Sequence, residues 1–390
     1  MRKSPLALSI AALAFGFAGM AHAADPIKVG LALDLSGPFA TAGAEARDGF
    51  DLAIEKLGSK LGGQPAQFLK NDFAGSPDQV IQLVKRYVDR DKIDFFTGPI
   101  ASNSALAAGP ALFAAKVPFL SSNPGPSQYA GKQCNPYFFG LYQNDTYDET
   151  AGILANTKGY KKVVIIAPNY PAGKDHLGGF KRFYKGEIQN EVYTKVGQID
   201  YAAEIAQIRS SKPDAVYVFL PGGMGINFIK QYVAGGLKDT PLLISGSGAD
   251  EDVIRAVGES MLGTTNTAHW AHDLKVPANV EFVAAYKKKY GHFPSVYAAQ
   301  AYDTIMAMDA AVRDVGGNLK DKAALLKALK AANFETLRGR VNYGPNNFPV
   351  QAFYQRTIVK LPDGTITNKL DGIVVEKHQD AHVQDCKMAS

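Results

Sequence analysis

Short apolar runs alternate with helix-spaced apolar positions along most of the chain. The run Ile27-Lys28-Val29-Gly30-Leu31-Ala32-Leu33 predicts a buried strand, closed by Asp34-Leu35-Ser36-Gly37-Pro38. Ala44, Phe50, Ala53, Ile54 and Leu57 then recur at the spacing of one buried helix face, until Gly62-Gly63 breaks it. A strand at Phe68-Leu69, a loop through Asp72 and Pro77, and a helix through Val80, Leu83, Val84 and Val88 follow. Residues 94–98 predict a third strand and 105–116 a third helix. After Tyr137 the alternation restarts, with strands at 163–167, 192–196, 215–220 and 242–245 and helices at 178–184, 203–210 and 225–234. From about residue 270 the pattern turns helical, at 280–290, 298–315 and 320–332. It ends in strands at 353–361 and 373–375 around the turn Pro362-Asp363-Gly364.

Repeated strand–helix units imply parallel sheets with right-handed crossovers. Two such sets in tandem predict an α/β protein of two Rossmann-like lobes. Ligands of open parallel sheets sit beyond the carboxyl ends of the strands, so facing lobes would place donors on both walls of a cleft. Long connections between the lobes would let them hinge closed over a solute.

The first residues address the protein. Met1-Arg2-Lys3 is a short basic start, Leu6 to Met20 is apolar, and Ala21-His22-Ala23 reads as a small-x-small cleavage site. Residues 1–23 are therefore expected to be a signal peptide, with the mature chain starting at Ala24 in the periplasm. The apolar run is shorter than the roughly 20 residues a spanning helix needs. No cysteine follows the cleavage site, so lipid anchoring is not expected. The 367 residues that remain suit two domains. Their charges are mixed, with a net charge of about +3 once Arg2 and Lys3 are gone. A nucleic-acid partner would need a basic face or stripe, and none is present. The two cysteines, Cys134 and Cys386, are expected to form one disulfide in an oxidising compartment.

Catalytic motifs are missing. The chain has no G-x-x-x-x-G-K-[ST] loop, no G-x-G-x-x-G after a strand and no H-E-x-x-H. Ser245-Gly246-Ser247-Gly248 lacks the first glycine of a nucleophile elbow. The pairs His269/His272 and His378/His382 have ligand-like spacing, but two residues make no metal site. Neither an enzyme nor a resident metal or cofactor is expected.

The ordered series of short motifs resembles the type I periplasmic solute-binding proteins of the branched-chain amino-acid ABC transporter family. Its carriers are Ile27-Lys28-Val29-Gly30 with Ser36-Gly37-Pro38, the loop from Asp72 to Pro77, and Gly98-Pro99-Ile100-Ala101-Ser102-Asn103-Ser104. Val117-Pro118-Phe119-Leu120-Ser121-Ser122, Gln143-Asn144-Asp145 and Tyr297-Ala298-Ala299-Gln300-Ala301-Tyr302-Asp303 continue it. The resemblance implies lobe one at 27–143 plus 272–345 and lobe two at 144–271 plus 346–380. A tail at 381–390 and three hinge crossovers complete it. It also implies a monomer that serves an inner-membrane ABC permease. Sugar-responsive repressors share this fold but begin with a DNA-binding helix-turn-helix, where this chain has a signal peptide.

Ser102 falls where the family places a serine on the ligand carboxylate, beside Ile100 and Ala101. A helix N-terminus after a strand favours an anion by itself, although Ser102 could equally cap that helix. Ser122, Asn123 and Gly125 match the second loop of the carboxylate site, with a plain Pro/Gly turn as the alternative. Amino-acid binders carry an acidic residue for the ligand ammonium where this chain has Ser247. A buried ammonium without a carboxylate is costly, unless the nearby Asp250 substitutes. Ala42 stands where those binders have a tyrosine, and Gly222 lies where a second aromatic is replaced, both changes predicting a larger pocket. Tyr142, Tyr147 and Tyr170 are candidate stacking faces. The expected solute is a small carboxylate without an α-ammonium, an aromatic acid of the benzoate or cinnamate type. An amino acid or amide, an exported enzyme and a sensor subunit are the competing readings.

Overall fold

A computed structural model describes residues 25–388; the expected signal peptide at 1–23 lies outside the described residues. Strand β1 (Ile27–Leu33) leads into helix α1 (Ala40–Lys56), a hairpin of β2 (Lys60–Leu61) and β3 (Gln64–Asp72), and α2 (Pro77–Arg86). Then come β4 (Phe95–Thr97), α3 (Ser102–Ala114), β5 (Phe119–Ser121), the single turn α4 (Ser127–Ala130) and β6 (Phe138–Gly140). Helix α5 (Asn144–Thr157) crosses to a second series, in which β7 (Lys162–Pro168), α6 (Pro171–Phe183), β8 (Glu187–Thr194) and α7 (Ala202–Ser211) come first. Next are β9 (Ala215–Val218), α8 (Gly223–Ala234), β10 (Leu242–Ser245), α9 (Glu251–Val257) and β11 (Thr265–Ala268). Three helices, α10 (Pro277–Tyr290), α11 (Val296–Asp314) and α12 (Lys322–Ala331), precede β12 (Asn342–Tyr343), β13 (Pro349–Lys360) and β14 (Ile366–His378).

Two sheets organise these elements. The first has the order β2-β3-β1-β4-β5-β6, and all its pairs are parallel except the β2/β3 hairpin. The second runs β12-β13-β11-β10-β9-β7-β8, with β14 on β13, parallel from β8 to β11 and antiparallel through β13. In each parallel core the first strand is central and the order reverses beside it. That reversal lies between β1 and β4 in the first sheet and between β7 and β9 in the second. Loops diverge there to opposite faces and leave a crevice.

Local chemistry explains the main elements. Residues 163–167 are fully buried, as a central strand covered by helices on both faces requires. Ser76 accepts from the Gln79 N–H to cap α2, with Pro77 in the first turn, and Ser295 caps α11 through the Ala298 N–H. Gly98 closes β4 at φ +119°, and a Cβ there would stand 2.2 Å from the Ala32 carbonyl oxygen. Only glycine lets β4 end so close to β1. Helices α1 and α11 pack face to face, which returns the chain to the first sheet after β11.

Cys134 and Cys386 form the expected disulfide, with Cα atoms 5.6 Å apart across 252 residues of sequence. It ties the segment after β14 to the loop before β6. His378 and His382, read above as a weak metal pair, instead meet Glu149 and Asp145 on α5.

Candidate ligand-binding cleft

The two crevices face each other across a narrow, largely enclosed cavity with about 10 Å³ of free space. Lobe one contributes Phe39 from the loop after β1, Ile100 and Ser102 from the β4–α3 junction, and Asn123 and Pro124 after β5. Lobe two contributes Tyr170, Ala172 and His176 around the start of α6, Phe219 and Pro221 after β9, and Ser247 after β10. Tyr142 and Asn144 come from the crossover, and Tyr297 from α11. That is about the room of one water, far below the roughly 300 to 1,000 Å³ of small-molecule sites, so the cleft is closed and a solute enters only as the lobes part.

One end of the cavity is built around α3. Ala101 occupies the N-cap position, and Ser102 is the first helical residue, with no side-chain cap bond. The first N–H groups of the helix therefore have no intrahelical partner. Asp34, at the end of β1, accepts the Ile100 N–H at 2.8 Å and fixes the approach to the helix. Burial pushes the Asp34 carboxyl up to about 7, against the lowering effect of that bond. Asn123 donates to the Ile100 carbonyl at 2.7 Å. Asn144 donates to Ser102 Oγ at 3.0 Å and to Asp175 Oδ2 at 2.9 Å, while its own Oδ1 accepts the Gly125 N–H at 2.9 Å. The Ser102 oxygen is thus an acceptor for Asn144, and its hydrogen is left for another partner.

The lobes are clasped around this end. Asp175 on α6 takes the Ser127 hydroxyl at 2.7 Å and its N–H at 3.0 Å. Burial raises the Asp175 carboxyl to about 6. Arg255 on α9 pairs with Glu45 on α1, and Val296 N–H at the start of α11 donates to Asp250 at 2.5 Å. Behind the Ser247 loop, the buried Arg356 donates to the Gly246 carbonyl at 2.9 Å and to Asn266 Oδ1 at 2.7 Å.

Aromatic rings supply most of the remaining wall. Phe39 and Tyr170 meet across the lobes at 5.9 Å between centroids. Phe219 lies parallel to Tyr170 within 13° at 6.4 Å, and the His176 ring stacks on Phe219 at 3.4 Å. No Asp, Glu, Lys or Arg is among the residues lining the cavity.

Of the residues singled out in the sequence, Ile100, Ser102, Asn123, Tyr170 and Ser247 come together on the cavity wall. Ala101 supports Ser102 from the cap position. Ser122 is buried one residue before the wall, with its hydroxyl unpaired among the described residues. Gly125 lies behind it, where a Cβ would stand 2.0 Å from the Tyr142 carbonyl oxygen. Gly222, at φ +57°, begins α8 at the lobe boundary, near Thr41. Tyr142 lines the cavity, whereas Tyr147 packs edge-on behind it at 4.8 Å.

Three expectations need correction. Ala42 is buried in α1 and does not line the cavity; the aromatic after the Ser-Gly-Pro loop is Phe39, three residues earlier. Phe219 likewise fills the wall beside Gly222, so neither replacement yields a larger pocket. Asp250 is not placed for a ligand ammonium. It is fully buried, engaged by Val296 and 3.7 Å from Arg356, and burial pushes its carboxyl well above the usual range. His176, Phe219 and Asn144 escaped the sequence reading of the site, although Asn144 stood in a quoted motif.

Two α/β lobes whose switch points close on one buried cavity define a solute-binding protein of the periplasmic type. The chain belongs to the periplasmic binding protein family, whose model matches residues 26–364. It is similar to Leu/Ile/Val-binding protein homolog 6 of Brucella melitensis, 30% identical over 380 residues, covering 93% of this chain and 95% of that protein. Among solved structures it is similar to an ABC-transporter solute-binding protein of R. palustris in complex with benzoate. That pair has a TM-score of 0.87 and 30% identity, over 93% of this chain and 100% of the other. A solute-binding protein of Rhodopseudomonas palustris BisB5 in complex with 3,4-dihydroxybenzoic acid gives 0.85 and 30%, over 91% and 98%. The protein is a solute-binding component of the ABC-transporter type.

Proposed function

We propose that this protein captures an aromatic carboxylate, of the benzoate or cinnamate type, and delivers it unchanged to an inner-membrane ABC permease. One observation carries the reading: the cavity wall combines aromatic rings with hydroxyl and amide groups at a helix N-terminus, and no acidic side chain. The carboxylate would take the Ser102 hydroxyl and the free N–H groups of α3, where the helix dipole favours negative charge. The ring would lie against Tyr170, Phe219 and Phe39, whose faces suit a flat apolar body. The ligands of the two Rhodopseudomonas proteins support the same class.

The name of the Brucella relative, a Leu/Ile/Val-binding protein homolog, favours a second reading, a branched-chain amino acid. Such a ligand would bury an ammonium with no carboxylate on the wall, which is costly.

Under the first reading the protein works as a periplasmic monomer, with lobes at 27–143 plus 272–345 and 144–271 plus 346–380. The segment after β14 is tied to Cys134 by Cys386 and to Asp145 by His382. Thermal-shift screening of the purified mature protein tests the reading. Benzoates and cinnamates should raise Tm and amino acids should not, because a ligand at a hundredfold excess over its Kd adds about 2.7 kcal/mol. Recovered ligand should be chemically unchanged. Stabilisation by leucine alone, or a converted product, would overturn it.

A further inference from the structure

Asp34 follows β1 and is fully buried beside the anion end of the cleft. Its Oδ2 accepts the Ile100 N–H at 2.8 Å, and Ile100 lines the cavity two residues before Ser102. Its Oδ1 has no hydrogen-bond donor among the described residues. Backbone crowds it from two other elements. A Cβ at Gly75 would stand 3.2 Å from Oδ1, and one at Gly43 on α1 would stand 3.0 Å from the Asp34 Cβ. The carboxyl therefore meets one N–H and closely packed backbone, and no Lys or Arg lines the cavity it adjoins.

A carboxylate seated on Ser102 and the first N–H groups of α3 would lie close to this buried acid. Two like charges in a low-dielectric site with no cation between them repel, and one added proton removes the repulsion. The titratable neighbours offer no countercharge. Asp72 is an anion held low: burial raises it, but bonds from the Ala74 N–H, the Ser36 hydroxyl and the Leu35 N–H outweigh that. Tyr170, from lobe two, stays neutral because burial pushes its phenol well up. Across the cavity burial drives His176 down to about 3, so it is uncharged near neutral pH. Burial also pushes Asp34 itself up to about 7, with the Ile100 bond opposing and Asp72 adding.

Granted the carboxylate reading above, we infer that Asp34 is a positioning residue that admits the ligand anion only in its protonated form, so that solute capture is coupled to uptake of one proton from solvent. The neutral carboxyl keeps its bond to Ile100 and holds the strand-to-helix junction in place; the charged one would hold the same junction and repel the ligand. Below about 7 Asp34 is already neutral and no proton moves. Above it each bound ligand draws a proton onto Asp34, so affinity falls as pH rises.

Titration calorimetry with benzoate from pH 6 to 9 tests it, benzoate being ionised throughout. Wild-type affinity should be level near pH 6 and fall roughly tenfold per pH unit above about 7.5, the slope of one proton. Titrations at pH 8 in phosphate and in Tris, whose ionisation enthalpies differ, should count about one proton taken up per ligand. Asp34→Asn, whose amide oxygen can still accept the Ile100 N–H, should flatten the profile and abolish the uptake. Asp175→Asn, which removes the other raised carboxyl at this end, should keep the slope. Wild-type affinity that is flat with pH, or a slope and uptake that survive Asp34→Asn, would overturn the inference and leave the aromatic-acid reading standing. A folded Asp34→Asn protein that no longer binds benzoate at pH 6 would also overturn it, because the amide mimics the neutral carboxyl. A wild-type protein that binds no benzoate at any pH would remove both.

Discussion

Asn144 donates to Ser102 Oγ at 3.0 Å, which leaves the serine's own hydrogen free to be donated to another partner. The same amide reaches Asp175 on the opposite lobe, so the geometry of the anion end is tied to closure of the cleft. Ser102→Ala should leave the fold intact and weaken carboxylate binding roughly 10- to 150-fold, the worth of one charge-assisted hydrogen bond. Calorimetry beside a circular-dichroism melt reads both quantities. Unchanged affinity would show that the hydroxyl does not touch the ligand.

The ion pair of Arg255 and Glu45 joins α9 to α1 outside the cavity. Tyr286 donates to the same carboxylate at 3.3 Å, which steadies it in the closed form. Arg255→Ala should leave the pocket intact yet speed ligand release, lowering affinity up to about fivefold, since a half-exposed pair contributes little. Stopped-flow dissociation checks this, and an effect confined to the association rate would contradict it.

The disulfide closes a loop of 252 residues. Joining positions so far apart restricts the unfolded chain strongly, by up to about 5 kcal/mol. Cys386→Ser should therefore lower the denaturation midpoint of the ligand-free protein. Mass spectrometry of the unreduced native protein should show no free thiol.

The segment beyond β14 is also held by His382, whose Nε2 lies 2.9 Å from Asp145 Oδ2. The Asp145 bond, opposed by burial, raises the His382 pKa. Burial raises the Asp145 carboxyl, but bonds from His382 and Gln143 and the charge of Arg182 outweigh it and leave it low. The histidine's contribution is fully present below its ordinary value of about 6.5 and is lost as pH rises through the elevated one. The aspartate's contribution is present above about 3.9 and is lost as pH falls through the lowered value. His382→Gln should thus lower Tm on the order of 2 °C near pH 5.5, and the difference should close by about pH 9. A gap that widens with pH would contradict the assignment.

The alternating pattern was legible wherever strands are apolar and helices amphipathic, as at 27–33, 163–167 and 280–290. It failed where buried elements are polar. Strand β11 reads Thr265-Asn266-Thr267-Ala268, yet it is wholly buried because β10 and β13 flank it. Helix α5 buries Asn144 together with Asp145, Asp148 and Glu149, and the three acids face Arg182 and three histidines from other elements, so its composition resembles a surface loop. That Ile100 and Ser102 reach the cavity wall was legible because it depends on a local strand-to-helix junction. The aromatic wall was not. Phe219 and His176 become neighbours only when β9 and α6 are brought together by the second sheet.

The central claim is that the cleft holds a carboxylate and has no place for an α-ammonium. Calorimetry with matched pairs tests it most directly: 3-phenylpropionate against phenylalanine, and 4-methylpentanoate against leucine. The members of each pair differ only by the ammonium group. With no acidic side chain on the wall and Asp250 engaged by Val296, the des-amino member should bind at least tenfold more tightly, since burying an unpaired ammonium costs several kcal/mol. Tighter binding of phenylalanine or leucine would contradict it and return the protein to amino-acid capture.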